Sequence, residues 1–222
     1  MKAYWDNDVV KKLAAYDLTA EAVEALELTS VTILATLRFT FSLKSAAEAQ
    51  SRLRIKPSVH GRIVAFVDGT GVEELKSPPS KDEQKALAGV PNIDPGEAIL
   101  ALAASKDPDS LLCTGDKRFL KALAKSPKTA ALVQSLDGRV ICLEQIVRLI
   151  VAKKGLDHVR PRILSEVGED QAMKSIFGDP QAAAASIEEG FAAYIGEMRG
   201  LAPFLWAADE AAPPEPPGVE AP

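Results

Sequence analysis

Three carboxylates in this chain share one kind of address. Asp6 follows the short strand-like run Lys2–Trp5, and Asp116 lies in the turn Thr114-Gly115-Asp116 that leaves the apolar run 110–113. Glu97 sits in the first turn of a nearly all-apolar helix predicted to open at Asp94. In open α/β sheets, ligands bind beyond the carboxyl ends of the strands. Carboxylates gathered at such an edge repel and raise one another's pKa, so a cation is needed to hold them together. An all-oxygen donor set suits Mg²⁺ or Mn²⁺. Such an ion orients or deprotonates water for attack on a phosphate. Each acid also has a plainer reading. Asp94, Pro95 and Glu97 spell N-cap, first helical position and capping-box partner. Asp6 or Asp8 could cap a helix beginning near Val9.

The elements that would position these acids follow from periodicity. A helix is predicted after Asp8, with apolar residues at 9, 10, 13 and 14, and a second over 19–28 capped by Thr19. Residues 30–41 carry β-branched side chains but also helical spacing, and are read as a helix. Residues 43–54 form another. The run 63–67 is left open between strand and helix, and 72–75 is a short strand. Ser80 caps a helix over 81–88, and the helix from Asp94 ends near 106–108. Strand 110–113 leads to a helix reaching Lys125. A further helix spans 127–135, strand 139–142 follows, and a helix covers 143–154. Strands alternating with helices predict a parallel sheet covered on both faces. Beyond Gly155 only helical segments remain, near 157–166, 169–177 and 180–200. The predicted organisation is a domain over 1–154, an acidic helical extension over 155–206 and a disordered Pro/Ala/Glu tail over 207–222.

Composition narrows the function. The 222 residues carry a net charge of −5, unevenly spread. From 166 onward there are eleven acids and two bases, which leaves 24 bases and 20 acids before it. A mildly basic body with an acidic appendage suggests a nucleic-acid-facing surface, although a solvated tail gives the same numbers. The stretch 38–62 holds six Lys/Arg, including Arg52 and Arg54, against one acid, Glu48. It reads either as a phosphate-binding surface or as an ordinary solvated face. The acidic tail could also fold back on this stretch and compete with RNA. No apolar run is long enough to span a membrane, and the N-terminus lacks the pattern of a signal peptide. Cys113 and Cys142 lie in apolar runs, as buried thiols of a reducing cytoplasm would. With His60 and His158 they show no zinc spacing.

Taken together, Trp5-Asp6-Asn7-Asp8, Asp94-Pro95-Gly96-Glu97-Ala98 and Thr114-Gly115-Asp116-Lys117-Arg118-Phe119 resemble the pattern of PIN-domain nucleases, among them the ribonuclease toxins of bacterial toxin–antitoxin pairs. The closing strand and helix around 140–146 also look like that family, and the resemblance covers about residues 1–150. It implies a three-layer α/β/α sandwich with a central parallel sheet. It further implies divalent-metal-dependent cleavage of single-stranded RNA, with Asp6, Glu97 and Asp116 as metal ligands and Asp8 and Asp94 as further candidates. Thr114, Lys117, Arg118, Lys11, Arg52 and Arg54 are the candidate substrate-side residues, and Thr114 would also steady the Asp116 turn. An antitoxin-like protein and a second copy of the chain are the partners the resemblance suggests. Two family positions depart from the pattern. Thr36 stands where an acid is usual, and Lys117-Arg118 replace a second acid after Asp116. A degenerate module that binds RNA or protein without cleavage is therefore the alternative.

Overall fold

The computed structural model describes residues 1–205. The predicted tail over 207–222, and its suggested contact with 38–62, lie outside them. The chain runs β1 (Lys2–Trp5), α1 (Asn7–Ala15), α2 (Thr19–Ala25), β2 (Ser30–Ile33), α3 (Leu37–Thr40), α4 (Ala46–Leu53), α5 (Pro57–Val67) and β3 (Val72–Glu74). It continues α6 (Lys81–Leu87), α7 (Pro95–Ser105), β4 (Ser110–Thr114), α8 (Lys117–Lys125), α9 (Ala130–Leu136), β5 (Val140–Cys142) and α10 (Leu143–Lys154). Last come α11 (Leu156–Ser165), α12 (Gln171–Phe177) and α13 (Ala184–Leu201).

The five strands form one parallel sheet in the order β3-β2-β1-β4-β5. The chain starts in the middle, builds outward on one side, then returns to β1 and builds the other side. Side chains alternate across the pleat. Ala3, Trp5, Val31, Ile33, Leu111, Cys113 and Ile141 enter one core, while Tyr4, Leu112, Val140 and Cys142 enter the other. Helices therefore cover both faces, an arrangement compatible with a three-layer sandwich. Trp5 stacks on Phe66 of α5 with ring centroids 5.2 Å apart. A fully buried side chain of this size contributes roughly 1.5–3 kcal/mol or more. Both cysteines are buried and unpaired.

Two local expectations are corrected. Residues 30–41 are not one helix: Ser30–Ile33 is a strand, and only Leu37–Thr40 is helical. Val31 and Thr32 pair with both β1 and β3, and Ile33 pairs with β3. β-branched residues fit such a pleated, two-sided position, and this outweighs an accidental helical spacing. Thr19 is the first helical residue rather than the cap, because Leu18 takes the cap position and offers no side-chain acceptor. The open run at 63–67 belongs to α5, which starts at Pro57, where a missing N–H costs nothing. Ser80 closes a reciprocal capping box with Glu83, as its spacing predicts.

Helices α11–α13 share the core of the sheet. Val159, Ile163, Met173, Phe177, Phe191 and Ile195 belong to the same buried cluster as Trp5 and Val9. Further along, Met198, Ala202, Phe204 and Leu205 join the opposite core, and Leu205 bridges to Val140. The C-terminal end of α13 thus reaches the β5 edge of the sheet. No helix among the described residues is long and apolar enough to cross a membrane.

Candidate active site

The strand order reverses direction between β1 and β4, and a crevice at such a switch point is the standard ligand site of an open α/β sheet. Asp6 stands there. Its N–H continues the ladder to the Cys113 carbonyl at 3.1 Å. Its carboxylate caps α1, accepting from the Val9 N–H at 2.7 Å. The other carboxylate oxygen accepts a short hydrogen bond from the Thr114 hydroxyl. The Thr114 oxygen in turn accepts from the Asp116 N–H at 3.2 Å. One hydroxyl therefore ties the turn after β4 to the turn after β1. Asp116 caps α8 through the N–H groups of Arg118 (2.7 Å) and Phe119 (3.2 Å), and the Arg118 guanidinium reaches it at 3.2 Å.

Between these turns lies Gly115. A Cβ there would stand 2.7 Å from Asp8 Oδ2, so the turn after β4 packs directly against the Asp8 carboxylate of α1. At Gly96 a Cβ would come within 3.1 Å of Leu34 Cδ1 and 3.2 Å of Asp94 Oδ1, which seats the start of α7 against the end of β2. Glu97 and Asp94 form the reciprocal capping box: Asp94 N–H to Glu97 at 2.9 Å, and Glu97 N–H to Asp94 at 2.8 Å.

Electrostatics separates these acids into two groups. Burial pushes the Asp6 carboxyl up to about 6, against hydrogen bonds from Thr114, Val9 and Gly115 that favour its charged form. Glu97 rises to about 8, first through burial and then through the negative charges of Asp94, Asp116 and Asp6. Burial would also raise Asp116, but hydrogen bonds from Arg118 and Phe119 outweigh it and hold that carboxyl below its ordinary value. Asp8 pairs with Lys12 at 2.6 Å, and the same ammonium reaches Asp170 at 2.8 Å. Asp8 and Asp116 thus have internal cations. Asp6 and Glu97 have no cationic partner within ion-pair distance among the described residues.

The structure therefore brings Asp6, Asp8, Asp94, Glu97, Thr114, Asp116 and Arg118 to one edge of the sheet. Much of the expected substrate-side charge is already engaged. Lys11 pairs with Glu169 at 2.8 Å. Lys117 lies 3.5 Å from the buried Glu144 and 4.5 Å over the Tyr194 ring. Arg52 pairs with Glu48 on its own helix and faces a separate groove between α3 and α5, with Arg38 and Phe39. Arg54 is exposed and closes α4 in the left-handed conformation, φ 56°. Thr36 is exposed at the start of α3. Sequence reasoning missed Lys12, Glu144 and Asp170. The Asp8–Lys12 spacing of four residues was a usable helix signal, whereas nothing local links Lys12 to Asp170.

Among the described residues, no group of three or more His, Cys, Asp and Glu side chains is disposed to hold a metal ion. The donor chemistry nonetheless suits a hard cation, because Asp6 and Glu97 are carboxyls with no cationic partner within ion-pair distance among the described residues, and the Asp6 charge adds to the rise of Glu97. Mg²⁺ keeps several waters and needs only one or two carboxylates directly. Compared with protein-family models, curated proteins and solved structures, the chain matches none.

Proposed function

We propose that this chain is a divalent-metal-dependent endoribonuclease of PIN-like architecture that hydrolyses phosphodiester bonds in single-stranded RNA. The observation that carries the reading is the pair of carboxyls at the sheet's switch point, Asp6 and Glu97, both raised and both without a cation. Asp6, Glu97 and Asp116 would hold Mg²⁺ or Mn²⁺, which supplies an activated water for attack on phosphorus. The protein's own part is positional. Thr114 links the Asp6 and Asp116 turns, and the Asp94–Glu97 box orients the start of α7. Arg118, exposed and 3.2 Å from Asp116, would meet the phosphate at the mouth of the site. A cytoplasmic location, an antitoxin-like protein and a second copy of the chain complete the reading through the family resemblance. The direct test is Asp6→Asn and Asp116→Asn, each keeping a capping oxygen. Both should abolish Mn²⁺-dependent cleavage of single-stranded RNA, and retained metal-dependent cleavage in both overturns the proposal.

The second reading is a non-cleaving RNA- or protein-binding module. It is favoured by the placement of the acids, which serve as helix caps and form no ready cluster of three. Calorimetric titration with Mn²⁺ separates the readings. A non-cleaving module takes up no ion, whereas the nuclease binds Mn²⁺ and loses that binding in Asp6→Asn.

A further inference from the structure

We propose that the solvent face of α8 is a track for the phosphodiester backbone of single-stranded RNA, running from the candidate active site through Arg118, Lys121 and Lys125. This rests on the nuclease reading and names where its substrate lies. Three observations carry it.

The first is a census of cations. Around the site, and across the basic stretch 38–62, most Lys and Arg are committed to an acid, Arg118 to Asp116 included, while Lys44 and Arg54 have no carboxylate within ion-pair distance among the described residues. Lys11, Lys12 and Lys117 are paired, as are Arg38, Arg52, Lys56 and Arg62. A phosphate would have to compete with those carboxylates. Lys121 and Lys125 are exposed, and no carboxylate lies within ion-pair distance of either among the described residues. They can meet a phosphate without breaking an ion pair.

The second is direction. Phe119, Leu120 and Leu123 are buried and set the rotation of α8, so residues 118, 121 and 125 share the outward face. At about 1.5 Å of rise per residue they stand at steps of ~4.5 and ~6 Å along the axis. α8 contains no acid, and its N-cap is Asp116 itself.

The third is shape. A groove of about 360 Å³ is lined by Arg118, Lys121, Lys125 and Ser126 on one side and Asn92 on the other, with no carboxylate in its wall. Asn92 lies just before the α7 cap in a left-handed conformation, φ 64°. The two walls are thus the segments that carry Glu97 and Asp116. Backbone contacts of this kind position a strand without reading its bases.

The test is K121Q/K125Q, with K76Q/K174Q removing the same charge elsewhere on the surface. Affinity for a fluorescein-labelled oligouridylate is read by anisotropy in EDTA over a salt series, with circular dichroism confirming the fold. In K121Q/K125Q, affinity should fall about tenfold, and the slope of log affinity against log salt should flatten by about 1.4, near 0.7 per lost contact on a single strand. KM for cleavage should rise with kcat little changed, and K76Q/K174Q should behave like the parent. An unchanged slope, or an equal loss in K76Q/K174Q, overturns the track, and the nuclease reading survives if Asp6→Asn still abolishes cleavage. If the parent protein neither binds nor cleaves the RNA, the nuclease reading fails and the track with it.

Discussion

Two carboxyls with raised pKa make the charge of the site depend on pH in a definite direction. For Asp6 and Glu97 the protonated form is favoured by folding, so their contribution to stability is complete below about pH 4. It is lost as pH rises through about 6 for Asp6 and about 8 for Glu97. For the buried Asp6 the difference is about two pKa units, on the order of 3 kcal/mol. Without divalent ions, urea stability should therefore decline between pH 4 and 8, and Asp6→Asn should flatten the lower part of that decline. Mn²⁺ should reverse it, raising the midpoint more at pH 8 than at pH 5, because only the ionised carboxylates bind the ion. Lys12 offers a second test at this scale. It stays charged although half-enclosed, because burial, which lowers its pKa, is outweighed by Asp8 and Asp170. Lys12→Met leaves both acids without their shared cation and should cost about 3 kcal/mol in urea titration, with Lys12→Arg recovering part of it.

Individual helices place these groups through their first turns. α1, α7 and α8 all open on an Asp whose side chain accepts from the first-turn N–H groups. Each cap orients one wall of the crevice; in Asp6 and Asp116 one carboxylate oxygen caps the helix and the other bonds to Thr114 or Arg118. In α7 the box is reciprocal, and Asp94 holds Glu97 by two hydrogen bonds. Asp94→Ala should cost about 1 kcal/mol by thermal melting. It should also weaken Mn²⁺ binding severalfold in calorimetry, since the Glu97 N–H loses its acceptor and the first turn of α7 loosens, while the residue-94 N–H still donates to the Glu97 carboxylate. An unaltered ion affinity would show that Glu97 is held without the Asp94 side chain.

Across the whole molecule, the C-terminal helices are part of the fold that supports the crevice. Lys12 and Lys11, on the helix opened by Asp6, are held by Asp170 and Glu169 from the segment before α12. Phe177 meets Phe191 edge to face at 5.7 Å inside the cluster that holds Trp5. A chain ended at Lys154 would expose that cluster, so it should lose its cooperative urea transition and near-ultraviolet dichroism. Phe191→Ala in the full chain should cost about 3–5 kcal/mol.

What could be read along the chain was whatever neighbouring residues decide among themselves. The Asp94-Pro95-x-Glu97 cap, the Ser80 box, the strand-to-helix turns at Asp6 and Asp116 and the alternation behind the parallel sheet all depend on contacts within a few residues. Side chains and backbone N–H groups that close together meet whatever the remaining chain does. Residues 30–41 could not be read this way, because their strand exists only by pairing with β1 and β3. Nor could the state of the basic residues. Arg52 is neutralised by a neighbour four residues away, but Lys56 and Lys12 find their acids at Glu166 and Asp170, more than a hundred residues on. Periodicity registers which face of a helix is apolar, not which distant carboxylate will stand opposite a lysine. The tertiary structure therefore decided which cations are spent on acids inside the protein and which, Lys121 and Lys125 among them, have no carboxylate within ion-pair distance among the described residues.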